Sequence, residues 1–324
     1  MENPALALRE EIVGEVEKGL IEAVLPALGL AGRSLRLRIP AFGLSSLVFL
    51  AEVEGDPGFA VRVGRGAADR KQLHRRVVTE RYWRARALPT PRVLHVDLSE
   101  RVRAATGFYF LCEERVDGGN AVALPSGSEG FSAVGRAFAK VHGVERRFHH
   151  GSFQQPRLGR FARRLAARHQ GWAQALTREE EVAPDLAERH QRFLDGFPLR
   201  RCRGPFQLLH RRCTESDVMV DARGKGWVLE PQRCGFGSYL TDLVRIEYRI
   251  CGGDSDSIAS LHRGYFDAVA PARRDHYDAL APVFRADLHL ANAYRWARKR
   301  RQGHPDAEAE FAREFAHYER IARA

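Results

Sequence analysis

Apolar residues recur at helical spacing over residues 5–30, and then alternate with polar residues as they do in strands. Ile12, Val16 and Leu20 stand four residues apart with charged residues between them, which predicts one or two helices before Gly32. The alternating or β-rich segments that predict strands lie at 34–39, 47–53, 59–63, 92–96 and 108–112.

One predicted helix, at 68–87, interrupts these strands, and helical patterns dominate the chain after a break at 117–120. The later helical patterns cover 131–142, 157–195, 256–269, 272–294 and 306–323. A short β-like region at 206–229 lies among them, whereas the adjacent His149 and His150 are interpreted as part of a loop. This order predicts an α+β protein and differs from the regular alternation of a Rossmann fold.

The chain has 324 residues, 44% of them hydrophobic, which is enough for one large domain or two lobes with a core. No segment approaches the roughly 18 apolar residues of a membrane helix, and the N-terminus lacks the features of a secretory signal. The five cysteines form no C-x-x-C pair, which is typical of reduced thiols. We therefore expect a cytoplasmic protein with no membrane segment and no zinc site.

The chain is basic, since 52 Lys and Arg against 41 Asp and Glu give a net charge of +11. Basic clusters such as 298–301 have three interpretations. They are solvated helix faces, they reflect an arginine-rich composition, or they bind phosphate or an acidic peptide. No zinc-finger, RNP-like or basic-zipper motif is present in the sequence, so we expect no specific nucleic-acid partner.

Seven segments in order resemble the aminoglycoside phosphotransferase family over about residues 36–320. Those segments are FAVRV (59–63), TERYW (79–83), LPTPRVL (88–94), VGRAFAKVH (134–142), LHRRCTESDVMVD (209–221), VLEPQ (228–232) and GFGSYLTDL (235–243). The fifth is similar to the family's catalytic loop, H-x-D-x-x-x-x-N, and the sixth to its metal motif.

The resemblance implies a protein-kinase-like bilobal fold with ATP between the lobes and transfer of phosphate to a hydroxyl. The chain would consist of a helical extension at 1–32, a β-rich N-lobe at 33–117, and a helical C-lobe at 118–324 that carries the catalytic-loop hairpin.

Two segments would hold the nucleotide phosphates. Arg62 matches the basic residue of the third strand, and Glu80 matches the helix carboxylate that pairs with it. Gly43 would let the backbone approach the phosphates closely, with Ser45 and Ser46 as hydrogen-bond donors.

The resemblance also places the adenine edge and a Mg²⁺ site. The connection that contains Glu113 and Arg115 would offer backbone groups to adenine. Asp217 and Glu230 stand at the two metal-ligand positions, where the family carries Asn and Asp. Both keep the oxygen ligands that Mg²⁺ prefers, although the same acids can also remain after the site is lost.

The most consequential difference from the family is Arg212, which replaces the catalytic aspartate. Arginine cannot accept a proton, and losing a general base costs roughly 10²- to 10⁴-fold in rate. Arg212 would pair with the acids at the metal positions, or else hold the γ-phosphate. Glu215 is the nearby acid that could serve as base, and Asp242 is interpreted as a structural cap of the loop.

Three functions stay open on these residues. One is an atypical ATP-dependent phosphotransferase, the second is an inactive pseudokinase that binds a protein partner, and the third transfers another part of the nucleotide. The basic charge favours an anionic or neutral small molecule, or an acidic peptide, over a polycationic substrate.

Overall fold

A computed structural model describes residues 4–40, 47–147, 149–152, 155–158, 161–179, 182–199 and 205–323. The chain forms two compact units, of which the first joins Met1–Phe138 with Thr214–Arg233 and the second joins Ala139–Cys213 with Cys234–Ala324. The predicted boundaries after residues 32 and 117 stay a prediction.

The first unit is built on an antiparallel five-stranded sheet in the order β1-β2-β3-β5-β4. Its strands are β1 (Leu35–Arg38), β2 (Leu47–Val53), β3 (Phe59–Gly64), β4 (Val93–Asp97) and β5 (Tyr109–Glu114). All five strands were predicted, because β1 alternates apolar and basic residues, while the other four contain β-branched or aromatic residues.

Helices pack against this sheet. They are α1 (Pro4–Gly19), continued by a π-helical turn (Leu20–Val24), α2 (Ala67–Arg84) and α3 (Glu100–Thr106). The apolar stripe of α1 is buried with Phe49 and Phe110 of the sheet, whereas α2 buries Leu73 and Val77 against Tyr109. Helix α3 was not predicted, because its seven residues are too few to display a helical period.

A second, three-stranded sheet of this unit brings the segment 214–233 to the end of β5. Its strands are β6 (Gly118–Asn120), β11 (Val218–Asp221) and β12 (Gly226–Val228), in the order β12-β11-β6. Gly118 allows this pairing, since a Cβ at that position would lie 2.3 Å from the carbonyl oxygen of Val220.

The second unit combines a five-stranded sheet with helices. The strands are β7 (Glu145–Arg146), β8 (His149–Ser152), β9 (Gln155–Leu158), β10 (Phe206–Leu209) and β13 (Gly235–Gly237), in the order β7-β10-β13-β8-β9. The interpretation of His149 and His150 as a loop is therefore wrong, because they pair with β9.

The helices of the second unit are α5 (Phe161–Arg178), α6 (Leu186–Asp195), α7 (Leu240–Arg249), α8 (Ser255–Phe266), α9 (Ala272–Arg301) and α10 (Ala307–Arg323). Helix α4 (Glu129–His142) contributes residues to both units. The continuous helix predicted at 157–195 is wrong, since β9 and a break before α6 interrupt it.

Four of the five cysteines lie among the described residues, and Cys112, Cys213, Cys234 and Cys251 are all free thiols, as expected. Among the helices that the structure describes, none combines the length and the apolar character needed to cross a bilayer.

Candidate functional site

The first unit contains a cavity of about 530 Å³ whose apolar lining comes from both of its sheets. Val48, Leu50 and Ala60 contribute from β2 and β3, while Met219 and Leu229 contribute from β11 and from the segment after β12. An apolar cavity with a few polar groups is the usual form of a small-molecule site.

The segment after β5 lines the same cavity through residues 115–120. Arg115 forms ion pairs with Asp117, at 2.7 Å, and with Glu52, at 3.8 Å. The side chain of Arg115 is therefore held by two carboxylates.

The inner polar part of the cavity is a network of two arginines around one carboxylate. Glu113 accepts from Nε of Arg62 through Oε2 and from Nε of Arg76 through Oε1, each at 2.6 Å. Burial alone raises the pKa of Glu113, but the two guanidinium groups outweigh it and hold that pKa below its ordinary value. Glu113 is therefore a carboxylate that stays charged although it is 1% exposed.

Arg62 also forms an ion pair with Glu230. Burial by itself lowers the pKa of Arg62, whereas Glu230 and Glu113 raise it above its ordinary value. The backbone of Glu230 is left-handed, with φ 54°, and such strain in a residue other than glycine is found mainly at functional sites. Arg62 and Glu230 are thus brought together, as the sequence predicted for one site.

The predicted ion pair between Arg62 and Glu80 is wrong. Glu80 accepts the backbone N–H of Val93 at 3.2 Å, lies 4.0 Å from Arg84, and also feels the charge of Arg76. Burial raises the pKa of Glu80. The reason is that α2 presents Arg76 rather than a carboxylate to this part of the sheet, so that β5 supplies the negative charge through Glu113.

Asp217, the other proposed metal ligand, ends a short 3₁₀ helix over Glu215–Asp217. Its Oδ2 accepts the backbone N–H and the hydroxyl of Thr214, both at 2.7 Å. Its carbonyl oxygen accepts the N–H of Leu229 at 2.7 Å, which places the segments of Asp217 and Glu230 side by side. Glu215 is half-buried in the same helix.

The oxygen atoms of Asp217 and Glu230 suit Mg²⁺ by their chemistry, but protein groups already contact them. An incoming ion would have to compete with Thr214 for Asp217 and with Arg62 for Glu230. Gly43, Ser45 and Ser46 lie outside the described residues.

In the second unit, Asp242 of α7 holds the loop that follows β10. Its carboxylate accepts the backbone N–H groups of His210, at 2.6 Å, and Arg211, at 2.8 Å, as the sequence suggested. Burial raises the pKa of Asp242, but the hydrogen bond and charge of His142 and other contacts lower it overall. Arg211 has φ 74°, so this loop is also strained.

Arg212 is exposed in this unit and belongs to a group of mutually repelling arginines. Burial lowers the pKa of Arg295, and the charges of Arg249 and Arg212 lower it further. Burial likewise lowers the pKa of Arg245; the charge of Asp242 opposes this shift, and repulsion from Arg249 and Arg295 adds to it. These four residues are called the arginine cluster below.

A sequence model of the phosphotransferase enzyme family matches residues 36–283 of this chain. The chain belongs to that family. No curated protein sequence matches it.

Solved structures similar to this family member have the same fold. A thermostable mutant of aminoglycoside phosphotransferase APH(4)-Ia, in a ternary complex with ADP and hygromycin B, is 16% identical with a TM-score of 0.63. That comparison covers 94% of this chain and 98% of the other. A choline/ethanolamine kinase family protein from Mesorhizobium loti is 18% identical with a TM-score of 0.58, covering 96% and 98%. The predicted kinase-like α+β fold is therefore confirmed.

Sequence reasoning missed the role of Arg76 and the side-chain role of Glu113 in this family member. Both are almost completely buried, at 2% and 1% exposed. One signal was present in the sequence, because a glutamate within the otherwise apolar segment 108–113 requires a buried cation.

Proposed function

We propose that this chain binds a purine nucleotide in the cavity of its first unit. The observation that carries the proposal is the apolar lining of Ala60, Met219 and Leu229 in the same cavity as Arg62. A purine ring is flat and apolar on its faces, while its phosphates need a cation. The ADP bound to APH(4)-Ia and the expectation of ATP from the sequence support the same class of ligand.

Arg62 is the group that we expect to contact the phosphates. Its charge is now shared between Glu113 and Glu230. A nucleotide phosphate would replace Glu230 as one of its partners, since guanidinium binds phosphate and carboxylate oxygens in the same geometry. Mg²⁺ held by Asp217 and Glu230 stays a prediction that requires this exchange.

Because Thr214 already contacts Asp217 and Arg62 already pairs with Glu230, we expect nucleotide binding to occur without added metal. The series to measure is the melting temperature with ATP or GTP, each with and without Mg²⁺. A rise of a few degrees in the absence of Mg²⁺ is the expected result. If the melting temperature rises only when Mg²⁺ is present, nucleotide binding requires the metal site and the metal-free proposal is wrong. If neither nucleotide raises the melting temperature, the binding proposal is refuted.

A matched pair of variants locates the binding. Ala60→Phe fills the cavity and should abolish the rise, whereas Ala105→Phe, at an exposed position on α3, should preserve it. A rise that survives Ala60→Phe would place the nucleotide elsewhere.

We infer that the site binds a nucleotide without transferring its phosphate by the family's usual mechanism. In that mechanism an aspartate accepts the hydroxyl proton, and Arg212, which replaces this aspartate, cannot accept it. This is the pseudokinase interpretation of the chain. The arginine cluster supports an anionic second ligand, such as an acidic peptide or small molecule, since an anion would relieve the repulsion around Arg212 and Arg295.

The second candidate is a slow phosphotransferase that acts on a hydroxyl of an anionic or neutral small molecule or peptide. The observation that favours it is the position of Glu215, next to Ser216, which lines the cavity. Transfer of label from the γ-position of ATP or GTP to an added acceptor, lost in Glu215→Gln, would establish this candidate over the first.

A further inference from the structure

The arginine cluster lies where the loop after β10 meets helix α7. The carboxylate of Asp242 accepts the backbone N–H of Arg211, which directly precedes Arg212. One turn after Asp242 on α7 comes Arg245, and one turn further comes Arg249. Because residues three and four apart on a helix are neighbours, these side chains start from one face of α7. Three members of the cluster, Arg212, Arg245 and Arg249, therefore project from neighbouring parts of the backbone.

Helix α9 packs against α7 and brings Arg295 to the same place. The ring of Tyr248 of α7 packs on the ring of His289 of α9, with centroids 4.9 Å apart. The guanidinium of Arg249 lies 5.5 Å from the centroid of the same tyrosine ring. Arg295 follows His289 within about two turns of α9. The repulsion that Arg295 receives from Arg249 and Arg212 agrees with this proximity.

The cluster is reachable from solvent. Arg212 and Arg295 are exposed, and Arg245 and Arg249 are half-buried. Among the ion pairs that the structure describes, none involves Arg212, Arg245 or Arg295. Arg295 makes one hydrogen bond of 3.4 Å, to the side-chain oxygen of Asn292. The exposed donors of Arg212 and Arg295 are therefore accessible to a ligand.

The acids near the cluster are occupied by other protein groups. Asp242 is 0% exposed and accepts two backbone N–H groups of the loop. Asp287, close to Arg245, pairs with an arginine of α5. Glu314, close to Arg295, is also 0% exposed, accepts from a tyrosine of α7 and contacts a histidine of α9. These carboxylates therefore leave the exposed side of the cluster to an anion from solvent.

The arrangement of the cluster selects the kind of anion. Its accessible guanidinium groups come from a loop and two helices, so they approach a common ligand from different directions. A carboxylate offers two oxygens in one plane, whereas a phosphate monoester carries a charge of roughly −1.5 to −2 at pH 7 and three acceptor oxygens. We propose that the arginine cluster holds a phosphate-monoester group, so that the anionic second ligand is phosphorylated. This inference rests on the proposed function, in which that ligand joins the nucleotide.

Calorimetry on the full chain at constant ionic strength tests the choice of anion. Glycerol 2-phosphate should bind roughly tenfold or more tightly than succinate, whose two carboxylates carry a similar total charge on separate planar groups. Equal binding of the two would mean unspecific attraction between charges and would overturn the proposal. A short peptide with one phosphoserine identifies the source of the group. Tighter binding than that of glycerol 2-phosphate indicates a phosphorylated protein, and weaker binding indicates a small molecule.

Two variants locate the phosphate group. Arg249→Gln and Arg295→Gln should each weaken the binding of glycerol 2-phosphate roughly tenfold, as expected for the loss of one hydrogen-bonded charge pair. Arg298→Gln, at an exposed position of α9 outside the cluster, removes the same charge and should keep the binding. Equal weakening in all three variants would assign the effect to net charge and overturn the proposal. Arg295→Gln should melt at or above the temperature of the unaltered chain, because it relieves repulsion, so its loss of binding is separable from a loss of folding.

Ala60→Phe separates this site from the nucleotide cavity. The variant should lose the rise in melting temperature with nucleotide but keep the binding of glycerol 2-phosphate. Loss of both would place the phosphate in the cavity with Arg62 and overturn this proposal, while the nucleotide proposal would stand. Binding of glycerol 2-phosphate by a chain that responds to no nucleotide would refute the nucleotide proposal alone.

Discussion

Arg76 of α2 donates from Nε to Oε1 of Glu113 of β5 across 2.6 Å, while the other carboxylate oxygen is taken by Arg62. One carboxylate thus contacts two buried cations that line the same cavity, and Glu230 is a second partner of Arg62. The sequence predicted that helix α2 would supply the carboxylate, Glu80, and that β3 would supply its cationic partner, Arg62. In the structure, helix α2 supplies a second cation, Arg76, and β5 supplies the carboxylate, Glu113.

Replacing Glu113 should destabilise the first unit strongly. Glu113→Gln leaves Arg76 without its paired carboxylate and leaves Arg62 with Glu230 alone, and removing one partner of a buried pair costs about 3–5 kcal/mol. The free energy of unfolding in urea measures this loss. Glu114→Gln is the control, because Glu114 is half-buried and accepts only a 3.3 Å bond from the Arg92 N–H. Equal effects of the two variants would argue against a buried ionic network.

Adjacent glycines of β6 should differ in their tolerance of a methyl group. A Cβ at Gly118 would lie 2.3 Å from the Val220 carbonyl oxygen, whereas a Cβ at Gly119 would contact nothing within 4 Å. Gly118→Ala should lower the free energy of unfolding by about 2 kcal/mol and weaken nucleotide binding, since this strand lines the cavity. Gly119→Ala should change the stability by roughly 0.5 kcal/mol or less. Thermal unfolding of both variants measures the contrast, and similar losses would mean that β6 does not pair closely with β11.

Arg212→Asp should introduce phosphotransfer. An aspartate at this position restores the proton acceptor of the family's catalytic loop, and we expect a gain of roughly 10²-fold in γ-phosphate transfer. Radiolabel transfer to small hydroxyl compounds measures it. Arg212→Asn is the control, because it removes the same positive charge without adding a base. If Arg212→Asn gains as much as Arg212→Asp, relief of charge repulsion rather than a base explains the gain.

Two buried histidines should make the second unit sensitive to acid. His169 of α5 stacks on His190 of α6 with ring centroids 5.5 Å apart. Burial, with repulsion from His169, lowers the pKa of His190 to about 4, and burial also lowers the pKa of His169. The unfolded chain therefore binds protons that the folded one does not, so stability is complete above about pH 6.5 and falls as the pH decreases toward 4.

The expected loss from His190 is at most about 3 kcal/mol, because each pH unit between the two pKa values is worth about 1.4 kcal/mol. Unfolding free energies at several pH values measure it. His190→Phe keeps the ring volume and should flatten the dependence between pH 6.5 and 4, whereas His304→Phe, at an exposed position, should not. An unchanged slope in His190→Phe would show that other groups cause the acid sensitivity.

The strand and helix pattern of the first unit followed from local signals. The turn at 55–58 and the helix exit at 88–91 bound segments whose side chains already favour strands or helices. Asp242 could also be placed, because its motif occurs at a defined distance from the catalytic loop. The shorter elements, such as α3 and β8, were not predictable, since α3 depends on a cap at Ser99 and β8 pairs with β13, which is distant in sequence.

The sequence by itself determined the family, the order of the elements of the β-rich part, and the loss of the aspartate at Arg212, because these depend on residue types in order along the chain. Only the tertiary structure decided that Glu113, rather than Glu80, pairs with Arg62, and that Arg76 shares the same carboxylate. A buried charge takes its partners from the opposite charges close to it in space, and of the two partners of Arg62, Glu113 stands 51 residues away along the chain and Glu230 still farther.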